Sequence, residues 1–172
     1  MTIAIYPGSF DPVTNGHGDI ARRAAGIFEK VIIGVYDAPP KRLLFSTEER
    51  ASLFRETVKD VPNLEVRTYR GLTVQFAQAC GAKVMVRGLR ASSDFEFEFE
   101  MSMMNRNVAP DVEAVCLMTR IEYQFLSSSL LKEVCALGGT ISNLVPAHVE
   151  AALKKKLRDG KSLETGKSLG KE

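Results

Sequence analysis

The stretch Ile3-Ala4-Ile5-Tyr6-Pro7-Gly8-Ser9-Phe10-Asp11-Pro12-Val13-Thr14-Asn15-Gly16-His17-Gly18 starts with an apolar run and leads into an amphipathic segment. Its first four residues are all apolar, which is typical of a strand buried on both faces of a parallel sheet. From Asp19 to Phe28, apolar side chains at positions 20, 21, 24, 25, 27 and 28 form one stripe of a helix. The sequence therefore begins with a strand, a stiff loop and a helix.

This order of strand and helix repeats along the chain. Further strands are predicted at Val31–Val35, Leu64–Tyr69, Val84–Val86 and Val112–Leu117, and Leu64–Tyr69 alternates in polarity like an edge strand. Helical patterns run from the capping box at Ser46 to Val58, over Val74–Cys80, over Ser128–Leu137 and from Pro146 to Leu157. The repeat predicts a doubly wound α/β fold with a parallel sheet. Ligands of such folds bind where the strands end, so functional residues should follow the strands.

One segment gives conflicting signals. Residues 94–100 alternate perfectly between acidic and aromatic side chains, as a strand would. The glutamates and the methionines at 101, 103 and 104 favour a helix, and no turn signal interrupts residues 93–107. Periodicity alone leaves both structures open here.

Length and composition are those of one globular domain. The chain has 172 residues, of which 45% are hydrophobic and 26% charged. There is no apolar run long enough to span a membrane and no secretory signal, so we expect a cytoplasmic protein with no membrane partner. Cys80, Cys116 and Cys135 are too few and too scattered for a disulfide framework, and we expect buried free thiols.

The charge is unevenly distributed. Residues 154–172 hold seven basic and three acidic residues, which leaves 16 basic and 18 acidic residues in the rest of the chain. The basic excess thus belongs to the tail, and we expect no nucleic-acid partner. We predict one domain over residues 1–157 and a disordered polar tail over 158–172. Its two Gly-Lys-Ser-Leu repeats lack the earlier glycine that a phosphate loop requires.

The loop after the first strand carries the chemistry most clearly. Its glycines and prolines let a stiff backbone approach a ligand closely. Thr14 or Asn15 can cap the following helix, which places His17 in the first turn, where amide groups favour an anion. A structural surface histidine is the alternative interpretation of His17. The only other histidine, His148, lies near the last helix, where we expect a structural role.

Two other strand ends offer similar chemistry. Arg87-Gly88-Leu89-Arg90 follows the fourth strand, and a pair of arginines there can hold phosphate. Ser127-Ser128-Ser129 precedes a helix, where hydroxyl and amide groups can bind phosphate oxygens together. Ordinary surface arginines and simple helix capping are the alternatives. Three strand ends therefore predict phosphate-binding chemistry.

Taken together, these motifs resemble those of the bacterial phosphopantetheine adenylyltransferases, nucleotidyltransferases that carry a (T/H)xGH motif. The similarity runs colinearly from about Ile3 to Leu157. It rests on Gly8-Ser9-Phe10-Asp11-Pro12-x-Thr14-x-Gly16-His17, Lys41, Arg87-Gly88-Leu89-Arg90, Asp94-Phe95-Glu96, Met104-Asn105-Arg106 and Ser127-Ser128-Ser129-Leu130-x-Lys132-Glu133.

The resemblance implies a Rossmann-like fold, assembly into a homohexamer, and helix rather than strand over residues 93–107. It implies transfer of AMP from ATP to 4′-phosphopantetheine, giving dephospho-coenzyme A and pyrophosphate in coenzyme A biosynthesis. The acceptor phosphate is already ionised near neutral pH, so we expect direct in-line attack without a covalent enzyme intermediate. Mg²⁺ is expected as the cofactor, held mainly by ATP oxygens and water, with no protein metal site.

The resemblance also implies the site residues. The catalytic ones are His17 for the charge that develops on the α-phosphate, Lys41 and Arg87 for the acceptor phosphate, and Arg90 for the leaving pyrophosphate. Phosphopantetheine would be held by Ser9, Lys41, Thr73 and Arg87. The ATP-binding residues are Ser9, Phe10, His17, Gly88, Leu89, Arg90, Glu98, Tyr123, Gln124, Phe125, Leu126, Ser127, Ser128 and Ser129.

Four positions depart from the usual forms of the family. Ser9 is often threonine, Phe97 often tyrosine and Tyr123 often tryptophan, while Thr73 stands where a more apolar residue is usual. Two other functions stay open from the residues alone. One is a different adenylyl- or cytidylyltransferase with the same (T/H)xGH motif, and the other is a nucleotide-binding module without catalysis.

Overall fold

The sheet matches the predicted architecture. The computed structural model describes residues 2–37, 39 and 43–167, with the backbone alone at residue 93 and over residues 160–167. Within these residues, five strands form one sheet in which every neighbouring pair is parallel. They are β1 Ile3–Gly8, β2 Lys30–Tyr36, β3 Leu64–Tyr69, β4 Val84–Leu89 and β5 Glu113–Met118. The predicted α/β fold, Rossmann-like and doubly wound, is confirmed.

Helices connect and follow the strands. The described residues contain α1 Asn15–Ala25, α2 Thr47–Val58, α3 Thr73–Ala79, α4 Ser92–Val108, α5 Ser128–Ala136 and α6 Ala147–Lys167, with a 3₁₀ turn at Ile121–Tyr123. The capping box predicted at Ser46 is present. The Glu49 N–H donates to Ser46 Oγ at 3.2 Å, and the Ser46 N–H donates to Glu49 Oε2 at 2.7 Å.

The strand order creates a crevice in the middle of the sheet. The order is β3-β2-β1-β4-β5, so the direction of winding reverses between β1 and β4. Between these two strands only Ala4 pairs with Val84 and Ile5 with Met85, whereas β1 stays paired with β2 up to Gly8. The carboxyl ends of β1 and β4 therefore separate, and the residues that follow them face an open cleft.

Both faces of the sheet are covered, because successive strand residues point to opposite sides. Ala4 and Tyr6 of β1 pack on the face covered by α1, α2, α5 and α6, together with Phe54 and Leu153. Ile5 packs on the other face, against residues of α3. Fully burying a large apolar side chain contributes about 1.5–3 kcal/mol, so this two-sided burial fixes the strand ends in place.

The first helix starts at Asn15 with Thr14 as its cap, one of the two caps that the sequence predicted, although its apolar stripe begins only after Asp19. Two other predicted boundaries are wrong. β4 continues through Leu89, since it stays paired with β5 up to Met118, so Arg87 to Leu89 belong to the strand rather than to a following loop. The last helix reaches Lys167, ten residues beyond its predicted end at Leu157. The division into a domain over 1–157 and a tail over 158–172 stays a prediction.

The ambiguous segment is helical, as the resemblance implies. Residues 92–108 form α4, although residues 94–100 alternate like a strand. A helix turns 100° per residue, so Phe95 and Phe99 lie on one face, with ring centroids 6.2 Å apart, while Phe97 lies on another. All three rings are more than half exposed in the single chain.

The cysteines differ from the prediction in one respect. All three are free thiols, but Cys116 is exposed and Cys80 and Cys135 are only partly buried. Cys116 lies on β5, an edge strand with one side open, which explains its exposure. Among the described residues no helix is both long and apolar enough to cross a bilayer.

Candidate active site

A two-lobed cleft occupies the crevice between β1 and β4. The first lobe, of about 410 Å³, is lined by the loop after β1, the start of α1, the end of β4 and the start of α5. The second lobe, of about 440 Å³, is lined by the ends of β1, β2 and β3 together with α4. The residues common to both lobes are Pro7, Gly8, Ser9, Arg87, Phe97 and Glu98.

His17 is fixed by the helix that it helps to start. It is the third residue of α1, and its backbone N–H donates to Thr14 Oγ1 at 3.3 Å. The Thr14 backbone N–H donates in return to His17 Nδ1 at 3.1 Å. Because Nδ1 accepts a hydrogen bond, the neutral ring carries its hydrogen on Nε2. His17 lines the first lobe as predicted, next to the amide groups of a helix N-terminus.

The loop before α1 folds back under the site. Phe10 has a positive φ of 48° and is almost fully buried, with its ring edge-on to those of Tyr6, Phe54 and His17. A Cβ on Gly8 would lie 2.7 Å from the Phe10 ring, so only glycine fits there. The Phe10 ring packs against the His17 ring. Because Phe10 is buried, a ligand would meet its backbone rather than its side chain.

Asp11 anchors this loop to two other segments. Its buried carboxylate accepts hydrogen bonds from the N–H groups of Leu44 and Phe45 at 3.0 and 2.9 Å. It also pairs with Lys132 of α5 at 2.5 Å. A buried carboxylate needs such partners to offset its lost hydration. Asp11 thereby links the loop after β1 to the segment before α2 and to α5.

Arg50 is a buried arginine that the sequence did not point out. Its guanidinium donates to the carbonyl oxygens of Ser9 at 2.6 Å and Tyr36 at 2.8 Å, which lie at the ends of β1 and β2. Burial lowers the pKa of Arg50, and the charges of Asp11 and Asp37 only partly offset this effect. The signal was present, since Arg50 lies on the same face of α2 as the buried Phe54.

Arg87 lies between the two lobes and is held by Glu98. Its Nε and Nη2 donate to the two carboxylate oxygens of Glu98 at 2.7 and 2.5 Å, and Nη1 donates to the Pro7 carbonyl at 3.0 Å. Burial alone would lower the pKa of Arg87, but Glu98 raises it more, so the net pKa lies above the usual value. Arg87 stays charged and spans the gap between β4 and β1.

Arg90 has a similar arrangement directly after the end of β4, and its side chain is more exposed than that of Arg87. It donates to both carboxylate oxygens of Asp94 at 3.0 and 3.1 Å and to the Leu126 carbonyl at 3.0 Å. Burial raises the pKa of Asp94, but the hydrogen bonds from Arg90 lower it by more than burial raises it. The net pKa of Asp94 is therefore below its usual value. Arg90 thus links β4 to the segment that carries the serines.

The three serines have different roles in the fold. Ser127 caps α5 by accepting a hydrogen bond from the Leu130 N–H at 3.1 Å, which is the capping alternative raised from the sequence. The Ser128 hydroxyl donates to the Pro12 carbonyl at 2.8 Å. Ser129 is exposed, and all three line the first lobe. Capping does not remove them from the cleft.

Aromatic side chains form one wall of the second lobe. Tyr69 stacks on Phe76 with ring centroids 4.3 Å apart and lies 5.2 Å from the ring of Tyr36. The Tyr69 and Thr73 hydroxyls are hydrogen-bonded at 3.0 Å. Burial raises the pKa of Tyr69, which keeps the phenol protonated. The second lobe therefore has an aromatic side that carries one paired hydroxyl.

Most of the predicted residues lie together. Ser9, Arg87 and Thr73 line the second lobe, while Lys41 lies outside the described residues. The residues of the predicted nucleotide set that line the first lobe are Ser9, Phe10, His17, Gly88, Arg90, Glu98, Tyr123, Leu126, Ser127, Ser128 and Ser129.

The remaining three of that set do not line it. Leu89 is buried, whereas Gln124 and Phe125 are exposed outside its lining. His148, expected to be structural, hydrogen-bonds the Leu53 carbonyl through Nε2 at 3.0 Å. In the part of the chain that the structure describes, no three histidine, cysteine or acidic residues are grouped as metal ligands would be.

Known proteins with a similar sequence show which family the chain belongs to. A family model described as cytidylyltransferase-like matches residues 5–134. A phosphopantetheine adenylyltransferase of Roseiflexus sp. (strain RS-1) is 54% identical over 155 residues, which cover 90% of this chain and 97% of the relative. One from Moorella thermoacetica is 52% identical over 156 residues, covering 91% and 98% of the two chains.

A solved structure supports the fold alone. A Vibrio parahaemolyticus protein, provisionally named as a nicotinate-nucleotide adenylyltransferase, superposes with a TM-score of 0.67 at 19% identity, over 91% of this chain and 95% of the other. Identity this low carries no information about the substrate. The sequence relatives match at much higher identity and over nearly their whole length. The chain therefore belongs to the phosphopantetheine adenylyltransferase family of cytidylyltransferase-like enzymes.

Proposed function

We propose that this protein transfers AMP from ATP to 4′-phosphopantetheine and releases dephospho-coenzyme A and pyrophosphate. The family supplies the reaction, since its named relatives are about half identical to this chain. One observation carries the proposal to the site. Phosphate-binding chemistry from the β1 loop, the end of β4 and the start of α5 faces one cleft, which opens at Arg87 into a second, more apolar lobe.

The two lobes suit the two substrates. The first lobe, with His17, Arg90 and the serines, suits the nucleotide and its phosphates. The second lobe, with its aromatic wall, suits the pantetheine arm, and the hydroxyl pair of Tyr69 and Thr73 can meet one of the arm's polar groups. The acceptor phosphate would then lie at the junction, beside Ser9 and Arg87.

The proposed chemistry is a direct in-line displacement. An oxygen of the acceptor phosphate forms a bond to the α-phosphorus of ATP as the bond to the bridging oxygen of the leaving pyrophosphate breaks. The nucleophile is already an anion, so no base is needed and no covalent enzyme intermediate forms. Catalysis then depends on positioning two anions and stabilising the charge of the transition state.

Each residue has a role in this scheme. The Nε2–H of His17 donates to the α-phosphate oxygens as their charge grows, with the amide groups at the start of α1 beside it. Arg87 and Lys41 hold the acceptor phosphate. Arg90 and Ser127 to Ser129 bind the β- and γ-phosphates, which leave together as pyrophosphate. The roles of the serines rely on the start of α5, which presents their hydroxyls with helix N–H groups.

Mg²⁺ is proposed as the cofactor. Magnesium keeps several waters and binds substrate phosphates readily, so it would enter with ATP and neutralise the triphosphate. The two carboxylates that line the first lobe are already engaged, Asp94 with Arg90 and Glu98 with Arg87. Oxygens of ATP and water are therefore the proposed ligands, rather than a carboxylate cage.

Assembly into a homohexamer is also proposed. Exposed apolar side chains on α4, among them Phe95 and Met104, support self-association, because a single chain rarely leaves so many on one element. Light scattering after size-exclusion chromatography tests this directly. The expected mass is six times the 18.9 kDa chain, and a monomer at micromolar concentration would contradict the proposal.

Pyrophosphate release measures the proposed activity. Purified protein is mixed with ATP and Mg²⁺ and one of three acceptors: 4′-phosphopantetheine, pantetheine or nicotinamide mononucleotide. Release is expected with phosphopantetheine alone. Release with nicotinamide mononucleotide would indicate another nucleotidyltransferase of the same superfamily, and ATP binding without release would indicate a binding module.

A further inference from the structure

Arg87 is not free to receive a phosphate in this structure. A guanidinium can hold an oxyanion with two parallel hydrogen bonds through its Nε and Nη2 edge or through its Nη1 and Nη2 edge. Glu98 occupies the Nε and Nη2 edge at 2.7 and 2.5 Å, while Nη1 of the other edge donates to the Pro7 carbonyl. A carboxylate therefore holds the place that a phosphate would take.

Both partners lie where a substrate can reach them. The side chains of Arg87 and Glu98 are 27% and 13% exposed, and both residues line the two lobes of the cleft. Glu98 lies on α4 and Arg87 on β4, so the pair joins two separate elements at the junction of the lobes. A phosphate dianion beside an unmoved Glu98 would meet a like charge at close range with little water to screen it.

We propose that Glu98 is an internal competitor for Arg87, which the phosphate of the acceptor must displace before Arg87 can bind it. This inference rests on the proposed function. A dianionic phosphate carries twice the charge of a carboxylate and has more oxygens to accept hydrogen bonds, so it can displace Glu98. An acceptor without phosphate cannot do so. Glu98 thus sets how much negative charge a ligand needs to engage Arg87, and it is a specificity-determining residue.

Glu98→Gln separates this role from a positioning role. Glutamine keeps the shape but removes the charge, so Arg87 is released more easily. We expect phosphopantetheine, titrated calorimetrically without ATP, to bind about tenfold more tightly to Glu98→Gln than to the wild type, a change of about 1.4 kcal/mol. Inorganic phosphate is a smaller probe of the same contact with Arg87. It should compete with phosphopantetheine more strongly in Glu98→Gln than in the wild type. Pantetheine should bind equally to both proteins.

Two further variants make the result decisive. Glu100→Gln removes a carboxylate from the exposed surface of the same helix. It should change the affinity for neither phosphopantetheine nor pantetheine. Glu98→Asp shortens the side chain by one methylene, which weakens the two-point contact with Arg87, and should shift phosphopantetheine affinity in the same direction as Glu98→Gln. It also covers the case in which Glu98→Gln fails to fold, which its thermal midpoint would reveal.

The opposite result would overturn the inference. If phosphopantetheine bound Glu98→Gln as it binds the wild type, or more weakly, Glu98 would position Arg87 instead of competing for it. A wild type that binds no phosphopantetheine would instead refute the proposed function. The two failures are therefore distinguishable in one set of titrations.

Discussion

Thr14 and His17 hold each other at the start of α1. The Thr14 N–H donates to His17 Nδ1 at 3.1 Å, and the His17 N–H donates to Thr14 Oγ1 at 3.3 Å. Histidine here occupies the position that glutamate or glutamine takes in an ordinary capping box. The same contact that starts the helix orients the imidazole and assigns the hydrogen of the neutral ring to Nε2. Capping and catalysis are therefore joined in one side chain.

Replacing His17 should affect turnover more than nucleotide binding. His17→Ala should lower kcat by about 10²–10³, the usual cost of losing one donor to transition-state charge, while ATP affinity changes little. His17→Gln keeps a side-chain acceptor for the cap and should retain thermal stability but not turnover. His148→Ala removes the other histidine and should leave kcat unchanged. Near-normal turnover in His17→Ala, with kcat and ATP affinity measured together, would exclude the assigned role.

Gly8→Ala should damage the site although it adds only one methyl group. The new Cβ would lie 2.7 Å from the Phe10 ring, which packs against His17 and cannot move freely. Overpacking of this kind typically costs about 1–3 kcal/mol. We expect a lower melting temperature and a reduced kcat. Gly26→Ala is the control, because its Cβ would meet its nearest neighbour at 3.4 Å, and equal effects of the two substitutions would argue against this account.

Substitutions of the two cations should separate the two substrates. Lys41→Ala should weaken phosphopantetheine binding while ATP affinity stays within a few-fold of normal, since Arg90 and the serines are unchanged. Arg87→Lys should also be harmful, because lysine keeps the charge but loses the planar fork. Isothermal titration with each substrate measures both effects, and Lys59→Ala on the exposed end of α2 is the control. Severe loss of ATP binding in Lys41→Ala, with phosphopantetheine spared, would reverse the assignment.

Truncation tests the division of the chain. Deleting residues 159–172 should leave folding and pyrophosphate release nearly unchanged, because the deletion keeps Leu153 in the core and the ion pair of Lys156 with Glu49. The deletion also removes the end of α6, which continues to Lys167, so it tests more than the loss of a disordered tail. A large fall in melting temperature would show that the end of the helix contributes to the fold.

Glu65 should make a small, pH-dependent contribution to stability. Hydrogen bonds from Arg67 and Lys30 lower the pKa of Glu65 from 4.5 to about 2. A depressed pKa in the folded state means that the contribution is complete above pH 4.5 and is lost as the pH falls towards 2. Glu65→Gln should therefore make the denaturation midpoint depend less on pH over this range. The difference should be largest at low salt, because the side chains of Glu65, Lys30 and Arg67 are partly exposed. An unchanged pH profile, with Glu122→Gln as the control, would contradict this.

Much of the molecule could be predicted from local patterns. The apolar run at Ile3–Tyr6 and the amphipathic stripe after it specify a strand and a helix, because burial of side chains follows the period of each element. The Ser46 cap and the position of His17 in a first turn follow from contacts three residues apart. Because parallel strands end at one edge, even the grouping of the β1 loop, Arg87 and the serines was predictable.

Other features were decided by tertiary structure. Residues 94–100 alternate in polarity, which favours a strand, yet they lie in the helix α4. Alternation alone does not identify the backbone form, because periodicity also reflects the environment of the side chains. Where β4 ends depends on its pairing with β5 up to Leu89. Arg87 and Glu98 are eleven residues apart on different elements, and the sequence suggests separate ligands for them. Their pairing depends on how α4 packs beside β4, and long-range packing of this kind is not encoded in any local pattern.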